Sequence, residues 1–423
     1  MTIVAHRGAN ALADEEELRV HLASLLRLEN IGLLLGAGAS CSAGGKTMKS
    51  MWSSFLADHL TEAKWLVSAK FLDAACVPSA TSEEAASNVA TDAAPAVPDI
   101  ETLGDRLEIA IEEWIRQGND AQLKDAKSAR AALSRSLVRA ALLKEAWWTS
   151  PGHDVSLDGL EHHRSILQKL TSAREPGQSP PWVFTTNYDL AIEWAAETVD
   201  IQVSNGFLGL HNRRFSPQSF DLGFRNIQAR GEARFGVYNI YLAKLHGSLT
   251  WKEVGDELYE LPCAQAWPEL QKFLDKATDD FPYLVAPRAA KYLQTVGYTF
   301  GELIRRFSEF MSRPQTALIV AGYSFGDEHV NRLLRSALLN PTLQVVVYLP
   351  EFAGNVSDPA LPAPVRRLLW LQNPRLTIVG GNDQAFLSKL AEHLPDPAVF
   401  DEDLNDLKKK MARKPDFHDE VGL

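Results

Sequence analysis

The chain has 423 residues, 45% hydrophobic and 23% charged, with a net charge of −11 at pH 7. That is a globular composition, long enough for one large domain or two to three ordinary ones, and its acidic balance excludes coating of nucleic acid or anionic membranes by bulk charge. Three scattered cysteines, Cys41, Cys76 and Cys263, form no CxxC pair, which excludes a structural zinc ribbon and fits a reducing compartment.

The opening "MTIVAHRGANALADEEELRV" has no charged-then-apolar leader pattern, and no stretch approaches 18 uninterrupted apolar residues. A cytoplasmic protein without a membrane span is therefore expected. Leu18, Leu22, Leu25, Leu26 and Leu28 give residues 12–29 helical spacing, so 1–30 reads as an N-terminal helix. "IGLLL" (31–35) is a buried strand. Helical patterns follow at 49–75, at 100–117 and at 121–148, separated by an aperiodic Ala/Ser/Thr/Pro stretch at 77–99 that reads as a mobile loop. Beyond a break at 150–154, β-like runs alternate with helical ones. The strands are expected at 181–187, 240–247, 283–287, 316–322, 343–349 and 376–380, and the helices at 158–171, 189–198, 297–312, 327–339 and 383–393. Such alternation predicts an α/β fold, a Rossmann-like doubly wound parallel sheet over 31–395. Residues 50–150 would be a helical insertion or second helical subdomain, and 396–423 a charged tail.

"GAGASCSAGGKT" (36–47) directly follows the first strand. A P-loop would need glycine at 40, where Ser40 stands, so Gly45-Lys46-Thr47 supplies only its end. A Rossmann fingerprint would need its third glycine at 41, where Cys41 stands. A plain strand-to-helix turn also accounts for the glycines. A third ligand reading takes Gly36-Ala37-Gly38-Ala39-Ser40 as a loop that offers free backbone N–H groups, and the Ser40 hydroxyl, to a pyrophosphate.

Three more strand ends carry chemistry. "FTTNYD" places Thr185, Thr186, Asn187, Tyr188 and Asp189 at one, where Asp189 alone would also read as a helix cap. "KLHGS" places His246 and Gly247 at another, in what reads as an exposed loop. "GYSFGDEH" places Gly322, Tyr323, Ser324, Asp327 and His329 at a third, with Asp327 again a candidate cap. Ligands of open α/β sheets bind at this carboxyl edge.

These four motifs, in this order, resemble the sirtuin superfamily, and more closely the bacterial sirtuin-like proteins of antiphage defence. The resemblance spans about 30–390. It implies an NAD site in which Gly36, Ala37, Gly38 and Ser40 cradle the pyrophosphate and Thr186 and Gly247 are further cofactor contacts. Asn187 would hold the nicotinamide ribose or the attacking water, Asp189 the nicotinamide carboxamide, and His246 would be the general base. Gly322 and Ser324 would hold the adenosine half. Asp327 and His329 match the defence-type motif, and Asp327 is counted with the cofactor contacts. The chain lacks the four-cysteine zinc module of deacylating sirtuins, and the stretch that follows its first loop, "CSAGGKTMKSMW", lacks their Phe-Arg pair, so water rather than acyl-lysine is the expected acceptor.

The resemblance thus implies an NAD glycohydrolase that uses NAD as substrate and needs no metal, and that acts in antiphage defence by depleting NAD (abortive infection). It also implies homo-oligomers and a HerA-type DNA-translocase ATPase as partner. The alternatives are a non-catalytic NAD or ADP-ribose binding module and an NAD-dependent protein deacylase. No carboxylate cluster of a nuclease and no intact Walker loop of an ATPase is found in the sequence.

Overall fold

A computed structural model describes residues 3–78, 96–98, 100–149, 158–174, 178–224, 237–279, 283–285, 295–359 and 361–396. Most of the loop expected at 77–99, and all of the tail after 396, lie outside the described residues.

The chain opens with a hairpin of β1 (Val4–Arg7) and β2 (Asn10–Ala11), then helix α1 (Glu15–Leu26) and strand β3 (Asn30–Leu35). Asp14 caps α1 by accepting from the Glu17 N–H, and Leu18, Leu22, Leu25 and Leu26 bury one side of the helix. β3 reads NIGLLL and is buried at every position, as a central parallel strand must be.

A helical body follows: α2 (Met48–Asp58), α3 (Leu60–Ser68), α4 (Ile100–Gln117), α5 (Asp120–Ala141) and α6 (Ala146–Thr149). It builds its own core, in which Trp52, Phe55, Leu66, Leu107 and Ala132 are buried together. The Trp52 indole N–H finds the Cys76 carbonyl at 3.0 Å, so the ring is buried without an orphaned donor. α5 and α6 also reach the main core through Val138, Leu142, Trp147 and Trp148.

After α7 (Glu161–Ser172) come β4 (Trp182–Thr185), α8 (Ala191–Glu197), β5 (Gln202–Ser204), β6 (Phe207–Leu208), β7 (Arg213–Phe215), β8 (Asn239–Lys244), β9 (Gly247–Val254), β10 (Glu257–Glu260) and α9 (Cys263–Leu274). The remainder runs β11 (Tyr283–Val285), α10 (Thr295–Ser312), β12 (Thr316–Ala321), α11 (Glu328–Ala337), β13 (Leu343–Tyr348), α12 (Ala363–Trp370), β14 (Leu376–Gly380) and α13 (Leu387–His393).

Nine strands form one sheet in the order β2-β1-β14-β13-β12-β3-β4-β8-β5. β14 through β5 run parallel, and β1 joins β14 antiparallel at one edge. The period of two sorts side chains between the faces. Leu33 and Leu35 join α1, α7, α8 and α13 on one face, while Leu34 joins Phe307 and Phe310 of α10, with α11 and α12, on the other. The architecture is a doubly wound α/β sheet with a helical insertion. From β3 the chain builds outward through β4 and β8, then returns to β12 on the other side of β3. The switch point therefore lies between β3 and β12, where this class of sheet opens a ligand crevice.

Three features depart from the sequence reading. The first 30 residues contain the β1–β2 hairpin ahead of the helix. A second, antiparallel sheet of order β11-β9-β10-β7-β6 was not expected. The run expected in the parallel sheet at 283–287 is β11 of that second sheet, antiparallel to β9.

Candidate functional site

β12, β3, β4 and β8 are neighbours, all parallel, so their carboxyl ends lie side by side. All four motifs hang from those ends: Gly36–Ser40 after β3, Thr186–Asp189 after β4, His246–Gly247 after β8 and Gly322–Asp327 after β12.

The glycines have a role that the sequence did not reveal. A Cβ at Gly322 would lie 2.2 Å from the Ala39 nitrogen, and the residue's φ is +64°. A Cβ at Gly36 would lie 2.6 Å from the Gly322 oxygen, and one at Gly38 would lie 2.9 Å from the Gly322 Cα. The loops after β3 and β12 thus meet backbone to backbone, and only glycine permits that approach. The same contact corrects the picture of a loop of free donors. The Gly36 N–H bonds the Ala321 carbonyl at 3.1 Å, the Gly38 N–H the Gly322 carbonyl at 2.9 Å and the Ala39 N–H the Gly36 carbonyl at 2.9 Å. Residues 37–43 then wind into a 3-10 helix. The apparent P-loop end belongs to the helical body: Thr47 caps α2, and Lys46 Nζ donates to Ser54 Oγ at 2.9 Å.

Asn187 is buried and fixed on three sides. Its backbone N–H donates to Thr185 Oγ1 at 3.0 Å, and Thr185 Oγ1 donates in turn to the Leu35 carbonyl at 3.0 Å. Its Nδ2 donates to the Gly36 carbonyl at 3.0 Å and to Ser40 Oγ at 2.9 Å. Both amide hydrogens are spent, so what the side chain can offer a ligand is Oδ1, an acceptor for a hydroxyl or a water. Ser40, read from sequence as a phosphate donor, is buried and its oxygen accepts from Asn187. Thr186 is half-buried and its N–H extends the β3 ladder to the Leu35 carbonyl.

Asp189 is buried, and its Oδ1 accepts from the Ala191 N–H at 3.0 Å; it stands one residue ahead of Leu190, which takes the cap position of α8. Below it lies a cation that sequence reasoning missed. Lys244, 1% exposed, donates to the Asp189 carbonyl and to Glu193 Oε1, the latter at 3.0 Å. Burial pushes the Glu193 carboxyl above its usual range, against the pull of Lys244. Lys244 stands two residues before His246, where its neighbours in KLHG give no hint of burial.

The loop expected around His246 is not exposed. β8 passes to β9 through a tight turn, Gly247 has φ +102°, and His246, Gly247 and Ser248 are all buried. The imidazole Nε2 lies 2.7 Å from Asp327 Oδ2, and the Tyr188 ring centroid is 6.4 Å away. Asp327 Oδ1 caps α11 through the N–H groups of His329 at 2.7 Å and Val330 at 3.0 Å. Burial disfavours the Asp327 carboxylate, yet His246 and these two N–H donors outweigh it and hold the carboxyl below its ordinary range. Ser324 and the His329 side chain are exposed.

Among the described residues no three His, Cys, Asp or Glu side chains gather where a metal ion could be held. Cys41, Cys76 and Cys263 are free thiols on separate elements. No helix among the described residues is long and apolar enough to cross a membrane.

Fold and site together define a doubly wound α/β protein whose polar motifs gather at the carboxyl edge of the sheet, around its topological switch point. Residues 181–359 match the family model of the SIR2-like domain, and that stretch of the chain is similar to this family. Three of the four strand-end motifs lie within the match. One solved structure, described under "Structural Basis for the Mechanism and Regulation of Sir2 Enzymes", aligns over 86% of this chain and 97% of its own at 15% identity, with a TM-score of 0.34. No curated protein matches the chain.

Proposed function

We propose that this protein binds NAD at the carboxyl edge of β12, β3, β4 and β8 and hydrolyses its nicotinamide–ribose bond, yielding nicotinamide and ADP-ribose. The observation that carries this reading is the convergence of Asn187 and His246 on the carboxyl edge of adjacent strands, next to the loops after β3 and β12. The match to the SIR2-like domain over 181–359 supports NAD as the ligand.

The chemistry follows from the groups present. Nicotinamide leaves as a neutral molecule, so the leaving group needs no acid. The ribose C1′ then carries oxocarbenium character, as in other glycosidic cleavages. Water adds to C1′, and His246 takes its proton, because an imidazole titrates close to neutrality. Asn187 Oδ1, fixed by two bonds from its amide nitrogen, accepts from the water or from a ribose hydroxyl. The glycine contact brings the loops after β3 and β12 together beside the dinucleotide.

The test is NAD consumption by the purified chain, with nicotinamide and ADP-ribose followed by chromatography, beside His246→Ala. Turnover that falls about 10²- to 10⁴-fold in the variant is expected. Equal turnover in both removes His246 as base, and NAD binding without any cleavage, alone or with a HerA-type ATPase and DNA added, makes the protein a binding module.

We further propose that the activity serves antiphage defence by depleting NAD, gated by assembly with further copies of this chain and with a HerA-type DNA-translocating ATPase. This rests on the motif resemblance. A particle mass equal to one chain, unchanged by adding such an ATPase, would refute the gating.

A further inference from the structure

The sequence counts Asp327 among the residues that touch the dinucleotide. In the structure both its oxygens are already engaged. Oδ2 is 2.7 Å from His246 Nε2, and Oδ1 accepts from the His329 and Val330 N–H groups at the start of α11. We propose that Asp327 is a positioning residue, which holds the His246 imidazole in one tautomer and sustains its basicity instead of contacting NAD.

Three observations support this. The pair is sheltered, with side-chain exposures of 10% for His246 and 14% for Asp327, so its attraction is weakly screened. The carboxylate cannot swing away without uncapping α11. The loop that carries it is tied down: the single Tyr323 O–H is shared between the Asp327 carbonyl at 3.2 Å and Asn331 Oδ1 at 3.1 Å, while Asn331 Nδ2 donates to the Phe325 carbonyl at 2.8 Å. Phe325 has φ +59°, a left-handed conformation rare for a bulky residue, and these bonds hold it there.

An ionised carboxylate only accepts, so Nε2 carries the proton it donates, and in the neutral ring Nδ1 is the acceptor nitrogen. When the ring takes a second proton, the carboxylate stabilises the imidazolium. Among the described residues, the titratable groups seen against the ring are Asp327 and the Tyr188 phenol. Of these, Asp327 is the one that carries charge near neutral pH.

The inference rests on His246 being the base, so its test needs a readout independent of turnover. The full chain carrying ¹³C-labelled histidine is titrated by NMR, with the His246 signal assigned by its loss in His246→Gln. In Asp327→Asn the helix cap survives, because Asn caps as well as Asp. The His246 midpoint is expected to fall by about one pH unit or more. In Asp327→Ser, which keeps a cap but lacks the reach to the ring, it should fall likewise. An unchanged midpoint in both variants overturns the proposal. In the cleavage assay Asp327→Asn should lower kcat with little change in KM, and move the acid limb of kcat/KM to lower pH. A raised KM with unchanged kcat would make Asp327 a dinucleotide contact and overturn the proposal. If the wild-type chain cleaves no NAD, alone or with a HerA-type ATPase and DNA added, the hydrolase reading fails while the NMR midpoint still decides the pair.

Discussion

The carboxyl edge of the parallel sheet and the helical body of α2–α6 are built on opposite principles. At the sheet edge, backbone meets backbone: a Cβ at Gly322 would stand 2.2 Å from the Ala39 nitrogen, and the Asn187 and His246 side chains each bond a neighbouring loop. In the helical body, side chains fill the space between helices, and stability comes from rings and methyls such as Trp52, Phe55 and Leu107. A tight backbone contact tolerates no addition, whereas a side-chain core tolerates loss at a graded cost. The first region defines positions to a fraction of an ångström, and the second supplies bulk.

The largest effect should come from breaking the backbone contact. Gly322→Ala adds a left-handed penalty to a clash with main chain that cannot rotate away, so a loss of more than about 5 kcal/mol, or no folded protein, is expected. Urea unfolding of the purified variant measures it. A near-neutral result would show that the loops after β3 and β12 can part at little cost.

The side-chain core should give a smaller, graded loss. Trp52 is 1% exposed, stacked on Phe55 with ring centroids 4.9 Å apart. Trp52→Ala should cost about 3–5 kcal/mol in urea unfolding. NAD turnover per folded molecule should stay at the wild-type level, because no site residue lies in α2–α6. Turnover lost below the unfolding transition would show that the helical body sets the site's geometry, and the comparison would collapse into a single coupled unit.

Acid should act more gently, and mainly on the sheet region. Burial lowers His21, His163 and His393 from 6.5 to about 4 each. All three lie outside the helical body: His21 bonds Thr377 Oγ1 at 3.0 Å, His393 Nδ1 pairs with Tyr348 Oη at 3.0 Å, and His163 sits in α7. Their folded-state values are depressed, so between pH 6.5 and about 4 the unfolded chain binds more protons, and stability falls as pH falls through that window. Tm recorded across pH 4–7 should show the slope, and His163→Gln should shallow it. A flat profile would mean that these rings titrate normally.

Both regions left traces in the sequence, of different kinds. The helical body was legible from local periodicity: residues 100–117 read as one helix and are one. The order and place of the four strand-end motifs were legible too, because each is a short local pattern at the end of an apolar run. What those residues touch was not. The Gly36–Gly322 approach joins positions far apart in the chain, and glycine looks the same whether it faces a phosphate or another backbone. Lys244 was passed over because lysine is rarely buried unless paired, and its partner Glu193 lies on another element. The second sheet escaped because most of its strands are short: Phe207–Leu208 has two residues and Arg213–Phe215 three. One signal was available and unused. Gly255-Asp256 stands between β9 and β10 with Gly255 at φ +64°, the dipeptide type that closes a two-residue hairpin.

The smallest effect is the one that separates the two regions most cleanly. Gly45-Lys46-Thr47 looks like the phosphate-gripping end of a P-loop, yet Lys46 and Thr47 are turned toward the helices, and the Gly45 N–H bonds the Ser40 carbonyl at 2.9 Å. The Lys46 N–H bonds the Ala140 carbonyl of α5 at 3.3 Å, Lys46 Nζ bonds Ser54 Oγ, and Thr47 caps α2. A lysine that grips phosphate supplies a charge-assisted bond, and its loss would be felt strongly in binding and turnover. A lysine bonded to a serine at the surface is worth little in either. Lys46→Ala should therefore change stability by less than about 0.5 kcal/mol and leave the KM for NAD as it was. A large rise in KM would carry the ligand across the 3-10 turn to the start of α2, and the border between site and helical body would have to be redrawn through Ser40–Thr47.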